Sequence, residues 1–402
     1  MSMHKSDWAR SLTRRSALRG LAGFVAGSPL LDGQQDPFRP TSRVPALEEL
    51  ATVFDFEPVA YAKVPREAYD YTALGVEGEF TLRRNREAFD WVGLIPRAVT
   101  DVSSVTTSTE ILGIKMDYPI MVAPTAGHTQ LHPDGELATH RGATGAAGTP
   151  MIVSINAGFP IDKIVEAAQG PLWFQLYARE TADATREVVE RAVGAGCRAV
   201  VLTADVQLQS HRERALHNRH LSRTTAARRQ RARQDNEPEP PLTKYRVTGQ
   251  TPYIDWSIIE QLRAITKVPL LVKGILTTED ALLAIDRGVD GIVISNHGGR
   301  YLDYAPSTLE VLPEIADAVA GRLPVLIDGG FRRGSDIVKA LALGAKAVCF
   351  GRAPRWGLGA YGAPGVQRVL EILQKELVMT MTVIGRPTLA SLDRTAVKTD
   401  FA

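Results

Sequence analysis

Three phrases in the C-terminal half of the sequence end a short apolar run in glycine, together with a side chain that can move a proton or bind an anion. They are DGIVISNHGGR at 290–300, PVLIDGGFRRGSD at 324–336 and AKAVCFGR at 345–352. Buried parallel strands are continuous apolar runs, and in α/β barrels the chemistry gathers where such strands end. We therefore interpret His297, with Arg300 three residues on, as a candidate base rather than a structural histidine.

Other charged residues also end or follow apolar runs. Lys273 ends PLLVKG, where a buried cation needs an anion or an electron-rich ring beside it, although a Schiff-base lysine is an alternative. Asp205 ends LTAD and can lie beside His297 to favour its protonated form; a structural pairing with Lys273 is the alternative. Arg212 and Arg300 suit a carboxylate because a guanidinium donates two parallel hydrogen bonds, although Arg212 in a basic loop can also be simply solvated.

Glycine and arginine recur after the last two apolar runs. Gly329, Gly330 and Arg332 follow one run, and Gly351 and Arg352 follow the next. This arrangement matches the phosphate site of α/β barrels, where loop amides and a helix N-terminus face the anion. The pattern predicts a bound phosphorylated group, which can be a cofactor, and it disfavours a bare aldolase.

Eight apolar runs alternate with amphipathic stretches, which predicts a closed (β/α)₈ barrel of the α/β class rather than an open doubly wound sheet. The runs are 119–124, 150–155, 172–177, 198–205, 269–274, 290–296, 324–330 and 346–352. Their carboxyl ends would bring ligand-type groups to one rim. These groups are Thr125, Ser154, Gln175, Tyr177, Thr203, Asp205, Lys273, His297, Asp328 and Arg352.

Composition and the spacing of the predicted segments indicate how the chain is organised. The 402 residues, with a net charge of +2 and 44% hydrophobic content, exclude a disordered or generally basic protein. Cys197 and Cys349 have no metal-ligand spacing and are interpreted as buried free thiols. The predicted organisation is a leader or disordered tail at 1–40, an extension packing on the barrel at 41–118, the barrel at 119–385 and a C-terminal tail at 386–402.

The first forty residues resemble a targeting segment rather than a folded domain. Arg14 and Arg15 precede a weakly apolar run in LTRRSALRG, a phrase similar to a twin-arginine export signal. The run is too short and too rich in glycine to span a bilayer. The expectation is export to the periplasm, and the alternative is a disordered tail on a cytoplasmic protein.

A long basic segment at 206–254 follows the fourth predicted strand. A connection of this length in a compact domain is typical of a lid, a partner-binding segment or a disordered loop. Its arginine run lacks interleaved aromatic side chains before Tyr245, which argues against nucleic-acid binding. We expect a solvated flap, with an anionic surface or an acidic partner protein as the alternative, and no membrane span.

Eight short motifs occur in an order that is highly specific, although each one is modest alone. They are YDY (69–71), APTA (123–126), FQLY (174–177), LTAD with HRE (202–213), LVKG (271–274), SNHGGRYLDY (295–304), DGGFRRG (328–334) and FGR (350–352). Together they resemble the FMN-dependent 2-hydroxy-acid oxidase and dehydrogenase family, which includes glycolate oxidase, lactate oxidase and the flavin domain of flavocytochrome b2. The resemblance runs from about Leu47 to Met381.

The resemblance implies a role for each matching residue. His297 would be the base, and Asp205 would stabilise its protonated form. A second group would bind the substrate: Arg212, Arg300 and Tyr71 at the carboxylate, and Tyr177 at the hydroxyl. A third group would bind FMN: Ala123, Pro124, Thr125, Ala126, Ser154, Gln175, Thr203, Lys273, Ser295, Asp328, Gly329, Gly330, Arg332, Gly351 and Arg352.

The implied reaction is FMN-dependent oxidation of a lactate-like L-2-hydroxy acid to the 2-oxo acid, with electrons passing to O₂ or a soluble acceptor, in a homotetramer. Asn156 stands where plant-type glycolate oxidases carry a tryptophan, and Gly127 thins the wall after APTA, so a roomier pocket is expected. Two alternatives stay open. One is the same fold and FMN with a larger or peptide-derived substrate, as in mycofactocin-type relatives, and the other is a non-catalytic flavin-binding barrel.

Overall fold

The computed structural model describes residues 43–206, 210–215, 218 and 254–401. Described residues from Pro45 onward belong to one compact unit. The predicted leader at 1–40 lies outside the described residues, and so does most of the predicted flap at 206–254.

Eight parallel strands close into a barrel, which confirms the predicted fold class and all eight predicted strands. Neighbouring strands in the chain are hydrogen-bonded neighbours, and the last strand pairs with the first to complete the ring. The barrel strands are β4 (Ile120–Val122), β5 (Met151–Ser154), β6 (Leu172–Leu176), β7 (Val200–Thr203), β8 (Leu270–Ile275), β9 (Gly291–Ile294), β10 (Val325–Ile327) and β11 (Ala347–Phe350).

Helices alternate with these strands, and further helices precede the barrel. Those before it are α1 (Phe56–Lys63), α2 (Arg66–Ala73) and α3 (Phe80–Glu87). Those within and after it are α4 (Gly135–Gly145), α5 (Ile161–Glu166), α6 (Ala182–Gly194), α7 (Ile258–Ile265), α8 (Thr278–Asp286), α9 (Thr308–Val319), α10 (Gly334–Ala342) and α11 (Arg352–Val383), which is kinked at Tyr361 and Gly362. No helix in these described ranges is long and apolar enough to cross a membrane.

The pleat of the strands explains why the barrel interior changes from apolar to polar along its axis. Ile152, Trp173, Val201, Leu271, Val293 and Leu326 belong to one buried cluster inside the barrel. Side chains two positions apart in a strand share a face, so the next inward position on each strand lies nearer its carboxyl end. Those next positions are Ser154, Gln175, Thr203, Lys273, Ser295 and Asp328. The barrel interior is therefore apolar in its middle and polar at the carboxyl ends of the strands.

A small hairpin closes the other end of the barrel. Strands β2 (Thr109–Ile111) and β3 (Ile114–Met116) pair antiparallel. Ile111, Ile114 and Met116 are at most 5% exposed and pack into the same interior cluster as the inward residues of the strands. The hairpin thus seals the amino end and leaves the polar end for a ligand.

A second two-stranded sheet joins the extension before the barrel to the C-terminal stretch. Strand β1 (Val92–Leu94) precedes the hairpin, and β12 (Val397–Thr399) lies in the stretch predicted above as a C-terminal tail. The two strands pair antiparallel, with Val92 opposite Thr399. The extension and the C-terminal stretch are therefore hydrogen-bonded to each other.

Candidate active site

A cavity of about 460 Å³ opens at the carboxyl ends of the barrel strands. Most predicted site residues line it: Tyr71, Ala123, Pro124, Thr125, Ala126, Ser154, Tyr177, Arg212, Lys273, His297, Arg300, Asp328, Gly329, Gly330, Arg332, Gly351 and Arg352. Four others, Asp205, Gln175, Thr203 and Ser295, are outside its lining. Gln175, Thr203 and Ser295 are each at most 3% exposed.

His297 follows β9 in a left-handed backbone conformation with φ 56°. Its Nδ1 lies 2.9 Å from Asp205 Oδ1, and because a carboxylate only accepts, Nδ1 carries the proton and donates. Burial lowers the pKa of His297, and Lys273 lowers it further, while Asp205 acts in the opposite direction. The ring is therefore neutral at pH 7, with Nε2 free to accept a proton.

A buried charge network lies beneath the histidine. Lys273 Nζ donates to Ser295 Oγ at 2.7 Å and lies 3.7 Å from Asp205 and 3.5 Å from Asp328. Ser295 Oγ in turn donates to Asp328 Oδ1 at 2.7 Å and accepts from the His297 amide at 3.0 Å. Ser295 is thus committed to protein partners and holds the network together.

Opposite charges keep this network ionised despite its burial. Burial favours the neutral form of Lys273, but the two carboxylates outweigh it and raise the pKa of the amine. Burial would likewise raise the pKa of Asp205, yet Lys273 and His297 lower it. Asp205 therefore pairs with both His297 and Lys273, so the two interpretations predicted from the sequence are compatible.

Three guanidinium groups, those of Arg212, Arg300 and Arg355, converge on the ring of Tyr71. The Cζ atoms of Arg212 and Arg300 lie 5.3 and 5.1 Å from its centroid. Arg300 donates through Nη1 to the carbonyls of Tyr71 and Leu74, and burial and the charge of Arg212 lower its pKa to about 10. Two crowded cations at the edge of a cavity form a favourable place for a carboxylate.

Tyr177 follows β6 and supplies a hydroxyl to the same cavity. Burial raises its pKa, and the neighbouring Tyr301 and Asp205 raise it further. The side chain is therefore a neutral donor at any ordinary pH.

The far end of the cavity carries two partly buried cations suited to a phosphate. Arg332 donates to the carbonyl of Phe331, and Arg352 donates to the carbonyls of Gly298 and Thr72 at 2.9 and 3.0 Å. Burial lowers the pKa of both guanidinium groups, and among the described residues neither has a carboxylate within ion-pair distance. Helix α11 begins at Arg352, so its N-terminus adds backbone donors to this end.

The glycine loops at this end serve packing as much as ligand access. A side chain on Gly299 would meet the Leu82 amide at 2.6 Å, and one on Gly330 would meet the Asn85 carbonyl at 2.1 Å. Both glycines have positive φ. These glycines therefore also make room for helix α3, which occupies the space that a side chain would need.

Gly127 was expected to thin the wall of the cavity, but the structure gives another reason for a glycine at this position. It is outside the cavity lining and has φ 73°, a conformation that favours glycine. A side chain there would lie 3.3 Å from Tyr71 Cε1. The residue permits the turn and the close approach of Tyr71, while Asn156 does line the cavity.

Three residues of the site were missed from the sequence. Arg355, on α11, is 3% exposed and donates to Thr72 Oγ1 and to the carbonyls of Ala126 and Gly127. Burial lowers its pKa to about 10. Its spacing of three from Arg352 places both on one helix face, a signal that could have identified it.

The second and third are a histidine behind the cavity wall and a tyrosine in the cavity. His128 is 1% exposed and joins Thr125 Oγ1 at 2.7 Å to Thr139 Oγ1 at 2.8 Å. Tyr301 lines the cavity beside His297. The motif SNHGGRYLDY contained Tyr301, but nothing in its spacing showed which way the ring faces.

The carboxyl ends of the barrel strands also carry polar atoms that have no hydrogen-bond partner and that fit a flavin. Gln175 Nε2 and Thr203 Oγ1 are buried without a hydrogen-bond partner. Such atoms are costly unless a ligand or water meets them, and the edge of an isoalloxazine ring offers both donors and acceptors. With the arginines at the far end for a phosphate, the residues present fit FMN.

The family model described as FMN-dependent dehydrogenase matches residues 60–399. The chain belongs to this family. It is an FMN-dependent oxidoreductase that acts on 2-hydroxy acids, as the sequence motifs predicted.

The similarity to known proteins extends along the whole barrel. The chain is 41% identical to a peroxisomal (S)-2-hydroxyacid oxidase of Arabidopsis thaliana over 356 residues, which is 88% of this chain and 98% of the relative. It is 41% identical to glycolate oxidase 1 of Zea mays, covering 88% of this chain and 96% of the relative. A crystal structure of mandelate oxidase superimposes with a TM-score of 0.78 at 36% identity, covering 88% and 99% of the two chains.

Proposed function

We propose that this enzyme oxidises an L-2-hydroxy acid with a side chain at least as large as that of lactate, and that O₂ takes up the electrons. The observation that carries the proposal is the cavity itself. A base, His297, faces the same space as the two guanidinium groups of Arg212 and Arg300.

Binding of the acid is assigned to the arginine pair. Their guanidinium groups lie on the ring of Tyr71, so a carboxylate at this end would meet two cations at once. This interaction would fix the α-carbon and its hydroxyl with respect to His297 and Tyr177. Positioning of this kind supplies a large part of catalysis.

Proton removal is assigned to His297. The ring is neutral and has Nε2 free, so it can take the proton that leaves the substrate. Asp205 then stabilises the imidazolium through Nδ1. The hydroxyl of Tyr177 can donate to the substrate oxygen while charge develops there.

FMN, when bound, supplies the acceptor for the two electrons. Lys273 holds a positive charge under the cavity, which would offset negative charge on a reduced ring. Gln175 and Thr203 would satisfy their free polar atoms against it. Arg332 and Arg352 would hold the phosphate.

Asn156 in the cavity lining supports a substrate larger than glycolate. A structural relative, mandelate oxidase, has been crystallised with (S)-2-phenylpropionate, a ligand with a phenyl side chain. Lactate and mandelate therefore mark the two ends of the range we propose. A larger, peptide-derived substrate is the remaining candidate.

Mixing the FMN-loaded enzyme anaerobically with glycolate, L-lactate, L-mandelate and longer 2-hydroxy acids tests the proposal. We expect flavin absorbance to bleach with at least one acid larger than glycolate, and faster than with glycolate. Re-aeration should then yield hydrogen peroxide. Bleaching by none of these acids would contradict the proposed substrate class, and bleaching without peroxide would contradict O₂ as the acceptor.

The substitution His297→Gln tests the base. We expect bound FMN to be retained and the rate of flavin reduction to fall by about 10²-fold or more, the scale of losing a general base. His132→Gln is a suitable control, because His132 is outside the cavity lining and its Nδ1 accepts from the Asp134 amide. A full reduction rate in His297→Gln would remove this residue from the mechanism.

We further propose export by the twin-arginine route and assembly as a homotetramer. The export proposal rests on Arg14 and Arg15 before the apolar run, and both residues lie outside the described part of the chain. Replacing both arginines by lysine should retain the enzyme in the cytoplasm of a host with this export route. Light scattering of the purified enzyme would measure the assembly.

A further inference from the structure

The ring of Tyr301 packs edge-on against the imidazole of His297. The ring centroids are 4.6 Å apart and the planes cross at 76°. This is the arrangement that aromatic pairs favour, and it lies inside the cavity lining. No role in the reaction has so far been assigned to Tyr301.

The backbone around His297 forms a turn outside any helix or strand, and hydrogen bonds hold it at the His297 amide and the Gly298 carbonyl. His297, Gly298 and Gly299 have φ values of 56°, 65° and 71°, three successive residues in the left-handed region. These hydrogen bonds fix the backbone but not the rotation of the side chain. The orientation of the imidazole therefore depends on what its ring touches.

One hydrogen bond alone cannot hold an imidazole in a single orientation. Asp205 fixes the Nδ1 end of the ring at 2.9 Å. The opposite edge, which carries Nε2, makes no hydrogen bond to any residue in the described ranges. The ring of Tyr301 lies edge-on to the imidazole, where it can restrain rotation about the Cβ–Cγ bond.

We propose that Tyr301 is a positioning residue that holds Nε2 of His297 toward the substrate carbon through its aromatic ring. The inference rests on the proposed function of His297 as the base. Its ring, not its hydroxyl, carries the effect, since the contact is between the two rings.

The hydroxyl of Tyr301 could have a second role in binding the substrate, and the experiment must distinguish that role from the role of the ring. The guanidinium groups of Arg212 and Arg300 act on the phenol electrostatically, because they counter part of the rise that burial causes in the pKa of Tyr301. A phenol near two guanidinium groups could also contact the substrate carboxylate. That role would raise the dissociation constant of the acid, whereas a loosened base would lower the limiting rate.

Anaerobic stopped-flow reduction measures both quantities, using an acid that bleaches the wild-type enzyme. Tyr301→Phe keeps the ring and should stay within about twofold of wild type in both. Tyr301→Leu removes the ring and should lower the limiting rate roughly threefold to tenfold, the factor that an edge-to-face pair is worth. Its dissociation constant for the acid and its FMN content should stay within about twofold. Tyr301→Gln serves in place of the leucine variant if that one does not fold.

A matched control lies three residues along the same loop. Tyr304 is 75% exposed and stacks on Phe80 rather than on His297. Tyr304→Leu should leave the limiting rate unchanged. A fall equal to that of Tyr301→Leu would show that any disturbance of the loop slows the reaction, which would overturn the inference.

The double variant decides whether Tyr301 acts through the histidine. In a His297→Gln background, Tyr301→Leu should cause no further loss, because the side chain that it positions is already gone. Equal losses in both backgrounds would overturn the inference, and so would a tenfold rise in the dissociation constant with Tyr301→Phe. A wild-type enzyme reduced by no 2-hydroxy acid would instead overturn the proposed function itself.

Discussion

Asp205 combines two tasks that usually fall to different residues. One carboxylate oxygen orients His297 and the other faces the ammonium group of Lys273 at 3.7 Å. Lys273 keeps the carboxylate ionised, and the carboxylate in turn favours the protonated histidine. Burial is the main cause of the lowered pKa of His297, and Lys273 lowers this pKa further while it keeps Asp205 ionised.

Asp205→Asn should separate these tasks. Only the neutral histidine is a base, so reduction should rise with pH through an apparent pKa below the ordinary 6.5 and then reach a plateau. Removing the carboxylate removes what raises the pKa of His297, so the inflection should move to still lower pH. The plateau should fall by about 10²-fold because the imidazolium loses its counter-charge.

Flavin reduction measured by stopped flow between about pH 4.5 and 9 reports both effects. Asp328→Asn is the matched control, because Asp328 lies 3.5 Å from the same lysine but makes no contact with His297. Its inflection should stay near that of the wild type. An inflection that moves to higher pH in Asp205→Asn would contradict this account of the site.

Single residues were predictable from the sequence where they follow a strand. His297, Lys273 and Asp328 were found because each ends an apolar run. Arg355 and Tyr301 were missed because their importance comes from contacts with residues distant in the sequence or from the direction of a ring. No periodic pattern carries that information.

At the scale of elements, the strands were easy to predict and the reason for the glycines was not. Continuous apolar runs can be read directly, since each strand is buried on both faces. That helix α3 would fill the space beside Gly299 and Gly330 depends on a contact across more than two hundred residues. Asp303 fastens this helix to the loop after β9.

Asp303→Ala should loosen that attachment. Its carboxylate accepts from the amides of Phe80 and Thr81 at 3.2 and 2.8 Å, at the first turn of α3. The loss of such a cap costs about 1 kcal/mol of the free energy of unfolding. Burial would raise the pKa of Asp303, but these amides lower it, so the carboxylate is charged at neutral pH.

Chemical denaturation followed by tryptophan fluorescence measures this loss. Asp303→Asn should recover only part of it, because the single amide oxygen of asparagine can accept from one of the two amides and its NH2 group cannot accept from the other. Asp317→Ala is a control on the surface, where the carboxylate is 74% exposed and pairs only with Arg394 among the described residues. Equal losses from both alanine variants would contradict the cap as the cause.

For the whole molecule, the extension before the barrel is part of the phosphate end of the site. Arg86 of α3 donates through both terminal nitrogens to Asp336, whose side chain is 1% exposed. Asp336 also accepts from the amides of Arg332 and Arg333 at the start of α10. The extension thus neutralises a buried carboxylate close to where the phosphate would bind. The sequence could not show this pairing, because 250 residues separate its partners.

Arg86→Ala should therefore weaken the binding of FMN by about tenfold. The unpaired carboxylate of Asp336 would repel the phosphate, and a hydrogen bond to a charged group is worth about 1.5–3 kcal/mol. We take the lower end because the side chain of Arg86 is 36% exposed. Titrating the apoprotein with FMN and with riboflavin measures the effect, since riboflavin lacks the phosphate and should bind equally well to both proteins. Arg83→Ala, on the exposed side of the same helix, should change neither affinity. A parallel loss for riboflavin would mean that the substitution deforms the whole cavity and does not act through charge.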